Sequence, residues 1–343
     1  MNTSLAVQFR PKTFDEVVGQ ETIIKILKKQ VETQQFKNCY LFSGASGCGK
    51  TSVARIFAKT INNGVGEPIE IDGASNNGVD NIRSIIEEAN KRSLDSEYKV
   101  YIMDEAHSLT SQSWQSLLKT IEEPPKYTIF IFCTTNPEKI PETILNRLQK
   151  FNFTKISTQL ISNRLKYVLS QLNYSNINTV ECNESCNYLA TISNGSMRNA
   201  LTNLDKCLDF NENLTIENIL KALGNFSYNT FFDLSNAIID RNASNIITII
   251  ESIYNEGYDL KSFIEQYLDF LLSVSKYCLF KDISLTNIPS SSIEDLNYLT
   301  NIDNASSVFL YLISEVLNIK TSIKYDTNIK NTILIMLLRL CKE

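Results

Sequence analysis

The octapeptide GASGCGKT, Gly44 to Thr51, constrains the fold of this chain more than any other stretch. It fits G-x-x-x-x-G-K-[ST] and lies between an apolar run, CYLFS at 39–43, and a helical pattern, TSVARIFAKTI. Strand, glycine turn and helix in that order form the setting in which this pattern cradles phosphate. Glycine at 44, 47 and 49 lets backbone amides turn toward phosphate oxygens, and the helix N-terminus adds positive potential. Lys50 is placed to reach the terminal phosphates of a nucleotide, and the Thr51 hydroxyl to ligate Mg²⁺. The alternative, a glycine turn that merely starts a helix, leaves the lysine and the hydroxyl unexplained.

Further strand signals alternate with helical ones. PIEI at 68–71, KVYIM at 99–103 and TIFIFC at 128–133 are apolar runs of strand length. Between them, VDNIRSIIEEANK (79–91) sets Val79, Ile82, Ile85, Ile86 and Ala89 on one helical face. SQSWQSLLKTIEE (111–123) is helical and stops at Pro124-Pro125. Alternation of this kind predicts an α/β fold with a doubly wound parallel sheet, and continuous apolar strands are expected where both sheet faces are covered. After the short strand signal FNF at 151–153, and beyond about residue 157, helical periods run to Glu343, with breaks expected at Gly224, Gly257 and Pro289.

The third strand ends in Asp104-Glu105. Asp104 is positioned for the Mg²⁺ shell, and Glu105 for polarising an attacking water. Paired carboxylates here favour a hydrolase over a simple nucleotide binder; an exposed acidic strand end is the bland alternative. His107 reads as structural. FCTTN ends the fourth strand, which brings Thr135 toward the crevice at the strand C-termini, where ligands bind in open α/β sheets.

The chain has 343 residues, 43% of them hydrophobic, which is enough for two or three domains. Its net charge of -5 argues against a generally nucleic-acid-adhesive protein while leaving room for a local basic lining. No run of about 18 apolar residues and no apolar N-terminal region occur, so the expectation is a cytoplasmic protein without membrane contact. The eight cysteines include no C-x-x-C pair, and the single histidine is remote in sequence from Cys182 and Cys186. Reduced thiols rather than a zinc site are expected.

Taken together, FRPKTFDEVVGQE, YLFSGASGCGKTSVARIFAKT, EIDGASNNGVDNIR, KVYIMDEAHSLTSQSWQSLLKTIEEPP and TTNPEKIPETILNR resemble the AAA+ core of the gamma/tau family of bacterial DNA polymerase III, motor subunits of sliding-clamp loaders. NGSMRNALTNLDKCL and ENILKALG resemble the lid and collar of the same family. The resemblance implies an AAA+ P-loop NTPase core at 1–157, a small helical lid at 158–215 and an all-α collar at 216–343. It implies ATP and Mg²⁺ as cofactors, with Gly44, Ala45, Ser46, Gly47, Cys48, Gly49, Lys50, Thr51 and Ser52 on the nucleotide. Val17, Val18 and Gly19 would lie nearest the adenine, in a stretch that by itself reads as a loop with a helix cap. Arg198, in SMRN, would reach the γ-phosphate, although from local sequence it is a solvated helix charge.

Arg147 stands in Asn-Arg-Leu where the family has Ser-Arg-Cys. The resemblance assigns it to a neighbouring subunit's ATP, as an arginine finger. It also implies that Asn76, Asn77, Gly78 and Arg83 touch the backbone of primed DNA, against the plain reading of a capped surface helix. Lys119 resembles a lysine that acts between subunits, and is otherwise an ordinary solvated lysine. Implied partners are a sliding clamp and other loader subunits in a homo- or hetero-pentamer. Two departures accompany the match. INNGVGEPIEID bridges directly where the family carries a four-cysteine zinc insert, and the long C-terminal extension of some members is expected to be missing. A compact form, bacterial or phage-encoded, is the expectation. A nucleotide-binding scaffold or stator and another AAA+ enzyme, such as a branch-migration helicase, are the competing readings; intact Lys50, Thr51, Asp104 and Glu105 oppose the first, and the lack of a winged-helix signal opposes the second.

Overall fold

A computed structural model describes residues 3–93, 95–286, 288 and 292–341. The chain divides into two compact units, residues 1–177 with 189–205, and residues 178–188 with 206–343.

The first unit is built on five parallel strands: β1 (Cys39–Gly44), β2 (Ile69–Asp72), β3 (Lys99–Asp104), β4 (Thr128–Thr134) and β5 (Gln149–Phe153). Their order is β2-β3-β4-β1-β5. The four apolar runs and FNF thus become the sheet. Side chains alternate across it, as the period of two requires. Tyr40 and Phe42 of β1 join Ile102, Ile131 and Phe151 on one face, under the helices Glu21–Glu32 and Lys50–Ile61. Cys39 and Leu41 join Met103 and Phe132 on the other, under the helices Val79–Ala89 and Ser111–Glu122. Both faces are covered, which is why the strands read as unbroken apolar runs rather than alternating ones.

Because all strands run the same way, β1, β3 and β4 end on one edge, at Gly44, Asp104 and Thr134. Gly44 lies beside Phe153 at the end of β5, and a Cβ there would sit 2.3 Å from the Phe153 carbonyl oxygen with φ at +147°. Only glycine closes this turn without moving β5. After β5 the helix Thr158–Gln171 starts at Ser157, whose side chain accepts from the Leu160 amide.

Among its described residues the second unit holds helices joined by turns and loops, and no strand. Its helices include Tyr228–Ile239, Ala243–Asn255, Leu260–Phe280, Ala305–Ser322 and Ile329–Leu340, around one apolar core. Phe231, Phe263, Tyr267 and Phe270 form an aromatic stack through its centre. Gly224 ends the helix Ile216–Leu223 in left-handed conformation, and Gly257 separates two helices, as expected of both. Pro289, the third expected break, lies outside the described residues. Among the described residues no helix is long and apolar enough to cross a membrane.

Candidate nucleotide site

The end of β3 and the loop residues 46–49 meet in one cleft within the first unit, whose lining does not include Gly44, Ala45 or Thr135. Lys50 is buried, and its Nζ donates to the carbonyls of Gly44 and Ala45 at 2.8 and 2.9 Å. The ammonium is thereby held against its own loop, by the residue that opens the helix Lys50–Ile61. Thr51 Oγ1 donates to Asp104 Oδ2 at 2.9 Å. Ser46 to Ser52 line the cleft, together with Asp104, Glu105, Val17 and Val18. Gly19 does not; it turns the chain behind them with φ at +73° and faces Ile156 and Leu160.

Arg198 lines the cleft as well. The turn that carries it is docked directly on the phosphate loop, since the Met197 amide donates to the Gly47 carbonyl at 3.0 Å. A Cβ on Gly47 would lie 2.0 Å from Ser196 Oγ, so glycine at this place also permits close approach to the residues around Arg198.

Glu105 follows β3 with φ at +47°, a left-handed conformation that a non-glycine residue adopts only when its surroundings enforce it. Thr135 Oγ1 reaches its Oε2 at 3.4 Å, so the threonine expected near the crevice does meet the carboxylate. His107 Nδ1 stands 3.3 Å from the same Oε2 and 3.2 Å from Thr134 Oγ1.

One residue of the cleft, Arg10, and two around it, Arg55 and Gln20, have no individual role predicted from sequence. Arg10 lines it, and its guanidinium is held below the ordinary arginine range, by burial first and then by the cations of Arg55 and Arg198. Arg55 is paired with Glu70 of β2 at 2.5 Å. Gln20 is buried and bridges from the N-terminal segment: its Nε2 donates to the Thr154 carbonyl at 2.7 Å and its Oε1 accepts from the Thr154 amide at 3.2 Å. The spacing of Arg55, four residues after Thr51 on one helix face, was the available signal for the second of these.

Arg147 is exposed and is not part of the cleft. Its Nη2 lies 2.6 Å from Glu122 Oε1, and its Nη1 donates to the Thr143 carbonyl at 2.5 Å. Lys119 is exposed on the helix that ends at Glu122. The segment Asn76 to Gly78 also lies apart from the cleft lining. Asn76 is tied by amide and side chain to the Asp72 carbonyl, and the Asn77 carbonyl accepts from Ser113 Oγ at 2.6 Å. Arg83 pairs with Asp80 at 3.3 Å in an exposed position.

The donor set around Asp104 suits Mg²⁺. Thr51 Oγ1 and Asp104 Oδ2 are adjacent hard oxygens, and among the described residues no group of three or more His, Cys, Asp or Glu forms a metal cage. Mg²⁺ is held by one or two protein oxygens with phosphate and water completing the shell, so two donors at the mouth of a phosphate loop fit it.

The sequence matches the family described as DNA polymerase III, delta subunit, over residues 67–157, and that described as DNA polymerase III subunits gamma and tau domain III over residues 214–342. It is 36% identical to the DNA polymerase III subunit tau of Bacillus subtilis over 292 residues, covering 78% of this chain and 51% of that one. It is 33% identical to the gamma/tau subunit of Mycoplasma genitalium, covering 85% of this chain and 52% of that one. The chain therefore spans about half the length of these two relatives. With the gamma subunit of Buchnera aphidicola from Acyrthosiphon pisum it shares 31% identity over 79% of this chain and 80% of the relative. Among solved structures, the Thermotoga maritima RuvB Holliday junction branch migration motor superposes with a TM-score of 0.51 at 19% identity, over 67% of this chain and 79% of that one. At that identity the likeness is one of fold, a parallel sheet with flanking helices. By sequence, the chain belongs to the DNA polymerase III gamma/tau family.

Proposed function

We propose that this chain is an ATP-driven motor subunit of a sliding-clamp loader, with a catalytic core at 1–157, a lid at 158–215 and an oligomerising collar at 216–343. The observation that carries the reading is a separation. Lys50, Thr51, Asp104, Glu105 and Arg198 converge on one cleft, while Arg147 lies outside it on an exposed surface. A guanidinium that is always charged and forks onto phosphate oxygens suits a neighbour's nucleotide better than its own chain's.

In this proposal the amides of Ser46 to Ser52 and the Lys50 ammonium bind the β- and γ-phosphates of ATP. Thr51 and Asp104 hold Mg²⁺, which when bound neutralises charge on those phosphates. Val17 and Val18 flank the adenine, with Gly19 shaping the turn behind them. Glu105 takes a proton from a water that Thr135 orients. The new bond forms between that water's oxygen and the γ-phosphorus, and the bond to the bridging oxygen of ADP breaks. Arg198 contacts the γ-phosphate from the lid, and Arg147 of an adjacent subunit stabilises the charge that develops there. ATP and clamp favour the same closed conformation, so each promotes binding of the other. Asn76, Asn77, Gly78 and Arg83 face the phosphates of primed DNA, which triggers hydrolysis and release. Such contacts orient a duplex without reading its sequence.

The test is steady-state ATP hydrolysis by the chain with its co-purifying subunits, with and without a bacterial sliding clamp and a primed oligonucleotide duplex. Stimulation by both is expected. Arg147→Ala and Lys50→Ala should each be inactive alone, and mixing them should restore part of the activity through interfaces that hold one intact copy of each group. No turnover in the unmodified assembly, with ATP still bound, would favour a scaffold instead.

A further inference from the structure

His107 is the chain's single histidine, and sequence alone gave it a structural role. Its surroundings suggest more. Glu105 is held by its backbone in a left-handed turn, yet its side chain is 43% exposed, so the strand alone does not fix where the carboxylate points. Two side chains meet it, and both meet the same oxygen. Thr135 Oγ1 approaches Oε2 from the end of β4, and His107 Nδ1 stands 3.3 Å from it. Both contacts fall on Oε2, and because Thr135 Oγ1 donates at the shorter 2.8 Å to Asn136 Oδ1, the imidazole is the neighbour left to fix that oxygen.

The imidazole is itself well anchored. It sits on the short turn Ala106–Ser108, in which Ala106 is buried and the Ser108 amide donates back to the Glu105 carbonyl at 2.9 Å. Nδ1 also lies 3.2 Å from Thr134 Oγ1, a fully buried hydroxyl that accepts from the Asn136 amide at 3.1 Å. Ring, hydroxyl and carboxylate thus form one patch joining the ends of β3 and β4. A carboxylate only accepts, so a hydrogen at the contact between ring and Glu105 resides on Nδ1.

We propose that His107 is a positioning residue for Glu105: its Nδ1–H, steadied by Thr134, holds Oε2 so that Oε1 faces the lytic water. This inference rests on the ATPase reading above. It concerns the aim of the carboxylate and not nucleotide affinity, because His107 is not among the residues lining the cleft.

Two variants separate positioning from space-filling. His107→Ala removes the donor, and His107→Asn returns an N–H near the place of Nδ1. The assembled protein with primed DNA is assayed for kcat, KM and ATP affinity. His107→Ala should lower kcat roughly tenfold with KM and affinity within about twofold of the parent, since misaiming a general base costs rate and not binding. His107→Asn should recover to within about threefold. A parental rate in His107→Ala, or equal loss in a folded His107→Asn, overturns the inference while the ATPase reading stands. Absence of turnover in the unmodified assembly overturns both.

A readout independent of turnover comes from labelling the chain with ¹⁵N-histidine, which reports on one ring. The Nδ1–H tautomer is expected, and Glu105→Gln should shift its signal. An Nε2–H tautomer indifferent to Glu105→Gln would end the proposal even if activity fell.

Discussion

Arg147 and Glu122 form an ion pair, Nη2 to Oε1 at 2.6 Å, between the loop before β5 and the last residue of the helix Ser111–Glu122. Both side chains are about two-fifths exposed, at 39% and 41%. An ion pair so placed contributes no more than about 1 kcal/mol to folding. Its effect lies in restricting a long side chain that otherwise samples many rotamers. Glu122→Gln should therefore leave the thermal midpoint within about 2 °C of the parent, yet lower DNA-stimulated ATP turnover two- to fivefold. Calorimetry together with steady-state kinetics checks both halves. Unchanged turnover would mean that Arg147 needs no help from its own chain.

Gly73 presents a different kind of link. Its amide donates to the Asp104 carbonyl at 2.8 Å, and a Cβ there would lie 2.9 Å from the carbonyl oxygens of both Asp104 and Glu105. Three residues before the segment proposed to face DNA, Gly73 is thus pressed against the backbone of Asp104 and Glu105. Gly73→Ala must push that backbone away, because carbonyl oxygens at this distance cannot yield as a flexible side chain would. The expected cost is about 1–3 kcal/mol of stability, typical of overpacking. ATP affinity should fall less than kcat does, since Lys50 and the phosphate loop are untouched. Denaturant unfolding and nucleotide titration measure the two effects separately.

Much of this was legible from sequence, and the reason is local. GASGCGKT, the strand-ending Asp104-Glu105 and the apolar runs are short-range patterns, and the sheet built from them follows the expected strands to within a few residues. The left-handed backbone at Glu105 was not legible, because nothing in DEAH distinguishes it from an ordinary strand end. Nor was the convergence of Arg10, Arg55 and Arg198, which depends on three elements far apart in sequence meeting at one edge. Gln20 illustrates the same limit: its paired bonds to Thr154 span 134 residues, and no local rule asks for them. His107 reads as structural in sequence, because its neighbour Thr134 arrives from the adjacent strand.

The thiols offer a check on the core. Six of the eight cysteines are buried, among them Cys39, Cys48 and Cys133, and Cys278 and Cys341 are partly exposed. Burial pushes the Cys39 thiol up to about 12, and burial likewise raises Cys48 and Cys133 despite the nearby Lys50 ammonium. At pH 8 the thiolate, which is the reactive form, is scarce at these sites. An aromatic disulfide reagent should thus modify two thiols promptly in the native protein and the other six only upon unfolding. Prompt loss of Cys48, inside the phosphate loop, would contradict its packing.

Metal dependence tests the oxygen pair at the cleft mouth. Thr51 Oγ1 and Asp104 Oδ2 lie 2.9 Å apart, so a Mg²⁺ ion bound there would replace their hydrogen bond by two ligand bonds, direct or through water. Chelation with EDTA should abolish turnover, and added Mg²⁺ should restore it. Asp104→Asn sharpens the expectation, because the carboxylate has two opposing effects on ATP. It draws in the cation, and it repels the triphosphate. Removing its charge should therefore leave metal-free ATP binding equal to or tighter than in the parent, while the gain in affinity on adding Mg²⁺ falls at least about tenfold, or roughly 1.4 kcal/mol. Titration of a fluorescent ATP analogue with Mg²⁺ or EDTA separates the two. If Asp104→Asn weakened both conditions equally, the carboxylate would be acting on the fold of the cleft and not on the cation.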